Sequence, residues 1–214
     1  MRRAFWIFVT LAGLSVGSVA QAETPDKPAI CLGINGAKLP TKVTYDDGSA
    51  LTVVDRSGGK VYQQVTRPDG RKFNMVSYQG LFVLTSDLPI AKPEQIGKLE
   101  QTWNQDLAQF FPLKVGEHIL ADATTKTSVN DAVMNFITEM TVGSVETLHI
   151  GECDYPVFKI EVGTQIRGDG PPRATTQYYH QASMLSLRSV LTTIPATPLD
   201  QPKTVEWRAV KLER

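Results

Sequence analysis

Three turn signatures recur early in the chain at nearly even spacing: Asp46-Asp47-Gly48, Ser57-Gly58-Gly59 and Pro68-Asp69-Gly70. Asp-Gly and Gly-Gly steps supply the positive φ that tight hairpins demand. A repeat of about 10–12 residues between such turns leaves room for one short strand each time and marks an all-β sheet. The intervening runs are rich in Val, Thr, Tyr and Phe. In one of them Val61, Gln63 and Val65 alternate with Tyr62, Gln64 and Thr66, as a strand with two unlike faces requires.

The period then changes. In "KPEQIGKLEQTWNQDLAQFFPL", Ile96, Leu99, Trp103, Leu107 and Phe110 fall at spacings of three and four. Pro93 suits a first helical turn, and Pro112 pushes Phe111 out of the α region. The spacing predicts an amphipathic helix over residues 94–109 lying across the sheet. Trp103, Phe110 and Phe111 then belong to the core or line an apolar ligand groove. Strand patterns return in "GEHILADATTKT", "AVMNFITEMTVGSVETLHI", "YPVFKIEVGTQI" and "KTVEWRAVKL", and "RATTQYYHQASMLSLRSVLTTI" reads as one long strand or two. Tyr178 and Tyr179 are consecutive, so one is expected in the core and one on the surface; an exposed Tyr179 would be a binding residue. The expected fold is mainly β: one domain, a curved antiparallel meander (half-barrel or spiral) of about 9–11 strands with that single helix.

The opening of the chain bears on compartment. Arg2 and Arg3 precede an apolar run from Ala4 to Val16, and Ala20-Gln21-Ala22 follows. These are the three regions of a secretory signal, so residues 1–22 read as a cleaved signal peptide of the general secretory route, residues 23–37 as an extended lead-in and 38–214 as the β-rich domain. The run is shorter than the about 20 apolar residues of a membrane span, so none is expected after cleavage. No cysteine stands just after the apolar run, so no lipid anchor is expected. The predicted location is the periplasm.

Export makes disulfides persistent. The two cysteines, Cys31 and Cys153, allow one pairing. They are too few for a Cys-rich zinc site. His149, four residues before Cys153 on a single strand, would stand about 13 Å away, too far to activate it. A Cys31–Cys153 disulfide is the leading reading, with free structural thiols as the alternative.

Removing Arg2 and Arg3 from 22 basic residues against 22 acidic ones leaves a net charge of about −2, with no basic stripe, which argues against nucleic-acid binding. His118, His149 and His180 have no local partner at metal-ligand spacing, so no metal or other cofactor is expected. Ser183 and Ser186 lack a nucleophile elbow, Asp46, Asp47 and Asp69 are turn formers, and Arg167-Gly168-Asp169 is a chance match to a short motif. No catalytic set emerges.

The stretches "FFPLKVGEHI", "VETLHIGECDYPVFKIEV" and "TTQYYHQASMLSLRSV" resemble a pattern in uncharacterised proteobacterial envelope proteins: domain-of-unknown-function families of curved antiparallel sheets, including envelope-integrity β-spiral proteins with one disulfide. The resemblance covers residues 110–190. It implies a periplasmic fold and carries no catalytic residue. More distantly, a curved sheet crossed by a helix is similar to lipoprotein-carrier half-barrels. The expected function is non-enzymatic: binding an apolar or amphipathic envelope component, a lipid or a partner protein, in support of envelope integrity. The alternative is a periplasmic hydrolase using His149 or His180.

Overall fold

The structure, a computed structural model, describes residues 31–34, 38–89, 96–129, 131–167, 169–193 and 202–214. The expected signal peptide and most of the lead-in lie outside the described residues. Within the lead-in, Leu32 and Gly33 form a turn.

The strands are β1 (Lys42–Tyr45), β2 (Ala50–Ser57), β3 (Lys60–Thr66), β4 (Lys72–Tyr78), β5 (Phe82–Pro89), β6 (Ile96–Trp103), β7 (His118–Thr127), β8 (Val133–Ile150), β9 (Cys153–Ile166), β10 (Asp169–His180), β11 (Leu185–Thr193) and β12 (Lys203–Glu213). Each pairs antiparallel with the next, and β12 pairs back onto β1, so the meander is a closed barrel of twelve strands. The expected half-barrel or spiral is corrected here. An open meander would leave the backbone groups of β1 and β12 unpaired, and closure satisfies both rows at once. Lys42 sits opposite Glu213, and their side chains form an ion pair at 3.1 Å.

The three Gly-bearing turns join β1 to β2, β2 to β3 and β3 to β4, as their composition predicts. The helix over 94–109 is not there. Ile96–Trp103 is strand β6, with Leu99 facing Ser86 of β5 on one side and Thr127 of β7 on the other. Residues 94 and 95, and the side chain of Ile96, lie outside what is described. The chain then leaves the sheet, and Leu107–Phe110 makes a single 3-10 turn capped by Asp106. The three-four stripe spans two elements. Leu99 and Trp103 also share one face of a strand, and pairing on both sides outweighs the helix preference of Glu, Gln and Lys.

Side chains fill two apolar clusters. The first joins Val43, Val61, Leu187 and Ala209 from the ring to Ile150, Cys153, Tyr155 and Val157. The second is built on Phe82, Ile119, Met140, Ile160 and Tyr179. Strand β9 serves both with opposite faces. Its pairing with β10 ends at Phe158–Tyr179, while its pairing with β8 continues to Cys153–Ile150. The last residues of the β8–β9 hairpin are therefore a two-stranded ribbon beyond the ring. A register shift between Val142 and Val145 marks where it departs, and such bulges bend and twist a strand. The ribbon applies Leu148, Tyr155 and Val157 to the first cluster, whereas Phe158, Ile160 and Val162 face the second.

Two turns meet beside the second cluster. Gln79 and Gly80, between β4 and β5, both have positive φ, as does Met184, which follows a 3-10 turn at Gln181–Ser183. A Cβ on Gly80 would stand 1.9 Å from the Met184 carbonyl oxygen, so only glycine fits.

Candidate functional site

Trp103, Phe110, Phe111 and Tyr179 all join the second cluster. Trp103, Phe110 and Phe111 gather around Phe82, fully buried, which sequence reasoning missed. Its ring stands 5.0 Å from Trp103 edge-on, 5.8 Å from Phe110 stacked and 6.1 Å from Phe111 edge-on, the geometries that aromatic quadrupoles favour. Trp103 is half-buried and donates its indole N–H to the Val83 carbonyl at 2.8 Å. Phe111 is extended, as a residue before proline should be, and its ring meets Tyr78 at 5.9 Å. The "SYQGLF" turn and strand start were the available signal for Phe82.

The two consecutive tyrosines do not divide into core and surface. Tyr178 is 7 % exposed and Tyr179 is 0 %. Tyr179 donates to the Gln79 carbonyl at 2.6 Å, which anchors the β4–β5 turn, and burial pushes its phenol pKa up. Tyr178 is covered by the Arg188 guanidinium, 4.5 Å from the ring centre. Arg188 and Arg208 both bond Glu206, and their hydrogen bonds, that of Arg188 foremost, hold its carboxyl below the usual range.

The three histidines are held apart by the topology. His118 on β7 meets Glu139 on β8 at 2.7 Å, both more than half exposed. His149 pairs with Asp154 across the ribbon turn. His149 and Cys153 lie on different strands of that hairpin, so the single-strand spacing used above does not apply. His180 and Ser183 are buried, 3 % and 0 % exposed. The Ser183 hydroxyl stands 2.8 Å from the His180 ring Nδ1 and 3.3 Å from the His180 carbonyl oxygen, so the pair is bonded within its own 3-10 turn. Burial lowers the His180 pKa and keeps the ring neutral. Among the described residues, no group of three or more His, Cys, Asp or Glu could hold a metal ion.

Cys31 and Cys153 form a disulfide with Cα atoms 5.6 Å apart.

A groove of about 300 Å³ lies on the outward sheet face over β8–β11. One row across it runs Glu139, Gly163, Ala174, Thr192, and the next runs Thr141, Glu161, Thr176. Gly163 and Ala174 are small, which leaves the depression; threonine hydroxyls and two carboxylates line its walls. Leu120 on β7, 56 % exposed, pairs with Glu139 and extends the face with an apolar side chain. A second groove of about 270 Å³ on β4–β6 is shaped by Asn74 bonding Asp87 at 2.8 and 3.0 Å.

No family model matches the chain, and no curated protein matches it. Among solved structures, the chain is similar to the hypothetical lipoprotein YmcC from Escherichia coli K12, at 15 % identity and a TM-score of 0.49, over 81 % of this chain and 85 % of that one. Among the described residues, no helix is long and apolar enough to cross a membrane.

Proposed function

We propose that this protein is an exported, non-enzymatic component of the cell envelope. It binds an amphipathic envelope component, most simply a partner protein, and so supports envelope integrity. One observation carries the reading: packed side chains fill both clusters, while the open groove over β8–β11 presents hydroxyls, carboxylates and the neighbouring Leu120 outward. An oxidised Cys31–Cys153 pair suits an oxidising compartment. The hydrolase alternative has less support, because His149 stands in solvent and a substrate atom cannot reach the buried Ser183.

The test is native mass spectrometry of the protein purified from its own envelope fraction, beside Ala174→Arg. Ala174 is exposed on the groove floor, so the substitution fills the groove with the barrel intact. The expected result is an associated species with wild type that is lost from the variant. A bare chain in both samples, or an associated species that survives Ala174→Arg, overturns the reading.

A further inference from the structure

The ribbon that the β8–β9 hairpin forms beyond the ring has two unlike edges. The two-residue turn Gly151-Glu152 joins Ile150 to Cys153. The pair that closes such a turn exchanges both of its main-chain hydrogen bonds. Alternation then makes Leu148–Tyr155 and Glu146–Val157 the next bonded pairs. The pairs between them, His149–Asp154, Thr147–Pro156 and Val145–Phe158, turn their main-chain groups outward to the two edges. Pro156, which has no N–H to give, stands at an outward-turned position, as that assignment requires. On the β9 edge Phe158 is taken up by Tyr179 of β10 and Pro156 withholds a donor, so that edge is guarded. On the β8 edge the ladder with β7 ends at Thr141–His118, and Val142 makes the last bonds, to Gly116 and Glu117. Past that point, among the described residues, no strand pairs with Val145, Thr147 or His149 along this edge. All three are exposed, Val145 by 52 %.

We propose that this edge is an interaction surface for a second copy of the chain: β8 pairs antiparallel with its own counterpart about a two-fold axis at Thr147. Each of the three residues offers one N–H and one C=O, a row that an added strand completes. The row is self-complementary, as an isologous contact requires. With Thr147 opposite its counterpart, Val145 falls opposite His149 and Glu146 opposite Leu148. Three pairs with two bonds each then join the copies, and no carboxylate faces another. Threonine opposite threonine is a favourable cross-strand pair, and the exposed Val145 gains a neighbour. The five residues from Val145 to His149 bury less than the about 800 Å² per partner of a standard interface, so the dimer is reversible and forms as concentration rises. The contact uses the far end of β8 and is independent of the groove, whose β8 residues are Glu139 and Thr141.

The experiment is cysteine cross-linking of the folded protein, beside sedimentation velocity over a dilution series. A bonded pair across the axis sets its Cα atoms about 5.5 Å apart, within the about 4.4–6.8 Å that a disulfide spans. Thr147→Cys should therefore form a covalent dimer under mild oxidation at least tenfold faster than Val54→Cys, whose thiol stands on β2 at a site 71 % exposed. Wild type should pass from monomer to dimer as concentration rises. Thr147→Pro removes the N–H at the axis, as Pro156 does on the other edge, and leaves the bonds between β8 and β9 in place. It should stay monomeric, with sheet content by circular dichroism unchanged. A wild-type monomer at every concentration overturns the proposal. So does a dimer in which Thr147→Cys cross-links no faster than Val54→Cys, or one that persists in folded Thr147→Pro; either would place the contact elsewhere.

Discussion

Gly80→Ala tests how the β4–β5 turn is seated on the turn that ends at Met184. The new Cβ would lie 1.9 Å from the Met184 oxygen and 2.8 Å from its carbonyl carbon, both main-chain atoms. No rotamer change relieves that contact, so the turns must part by more than 1 Å, given ordinary carbon contacts of about 3.5 Å. Parting them breaks the 2.6 Å bond from Tyr179 to Gln79 and leaves a hydroxyl unpaired in the core, at a cost of about 1–3 kcal/mol. Positive φ at a residue with a side chain adds about 1–2 kcal/mol. The loss is therefore about 2–5 kcal/mol. Gly70→Ala is the matched control: its φ is +82, close to the +72 of Gly80, but a Cβ there meets nothing within 4 Å. It should show only the φ penalty. Urea melts of the two variants, fitted with a common slope, isolate the steric part by difference. If Gly80→Ala loses no more than Gly70→Ala, the seating of the turn is not what demands glycine.

Trp103, half-buried, should lose about 2–3 kcal/mol on replacement by Ala in the same melts, less than a fully buried ring would, whereas Trp103→Phe, which keeps the ring contact with Phe82 and forfeits the bond to Val83, should lose about 1 kcal/mol; equal losses would show that packing on Phe82 contributes nothing. His180 binds a proton less readily folded than unfolded, so stability is complete above the unfolded pKa of about 6.5 and falls as pH drops through that value, by at most about 1.4 kcal/mol per pH unit, until the folded pKa is passed. His180→Gln should flatten that slope, and an unchanged pH profile would remove His180 as its source. Cys31→Ser and Cys153→Ser should each lose up to about 5 kcal/mol by loop entropy, and the double variant should be no worse than either, since the two share one interaction; additive losses would count against that.

The meander was legible because its instructions are local. Asp47-Gly48, Gly58-Gly59 and Asp69-Gly70 each specify a turn without reference to anything distant, and the three bends fall where the residues put them. The disulfide was legible by count. Closure was not, because nothing in Lys42–Tyr45 names Ala209–Glu213 as its neighbour; that pairing is decided by what remains unpaired once the other strands have aligned. The stripe from Ile96 to Phe110 misled because spacings of three and four between apolar residues do not exclude strand. Leu99 and Trp103 satisfied both periods, and the edges of β5 and β7 chose between them. Tyr178 escaped for a related reason. Alternation assigns the two tyrosines to opposite faces, but it does not say that both faces are buried there, Tyr178 in the first cluster and Tyr179 in the second. The outward groove was invisible because its depth comes from Gly163 and Ala174 standing side by side on different strands.

The pairing of β12 with β1 has a consequence for assembly. A ring has no first strand, yet a chain is delivered in order, and the final ladder joins residues as far apart as Lys42 and Glu213. Until β12 arrives, β1 and β11 each present an unpaired row of backbone groups, the kind of template that recruits other chains. Contacts so distant in sequence also form slowly. The vulnerable interval thus lasts until the last strand is in hand, and a chaperone that shields strand edges would have its greatest effect there. Joining the present ends and opening the chain at the Pro68–Gly70 turn would leave all twelve ladders intact while moving that interval to a different pair of strands.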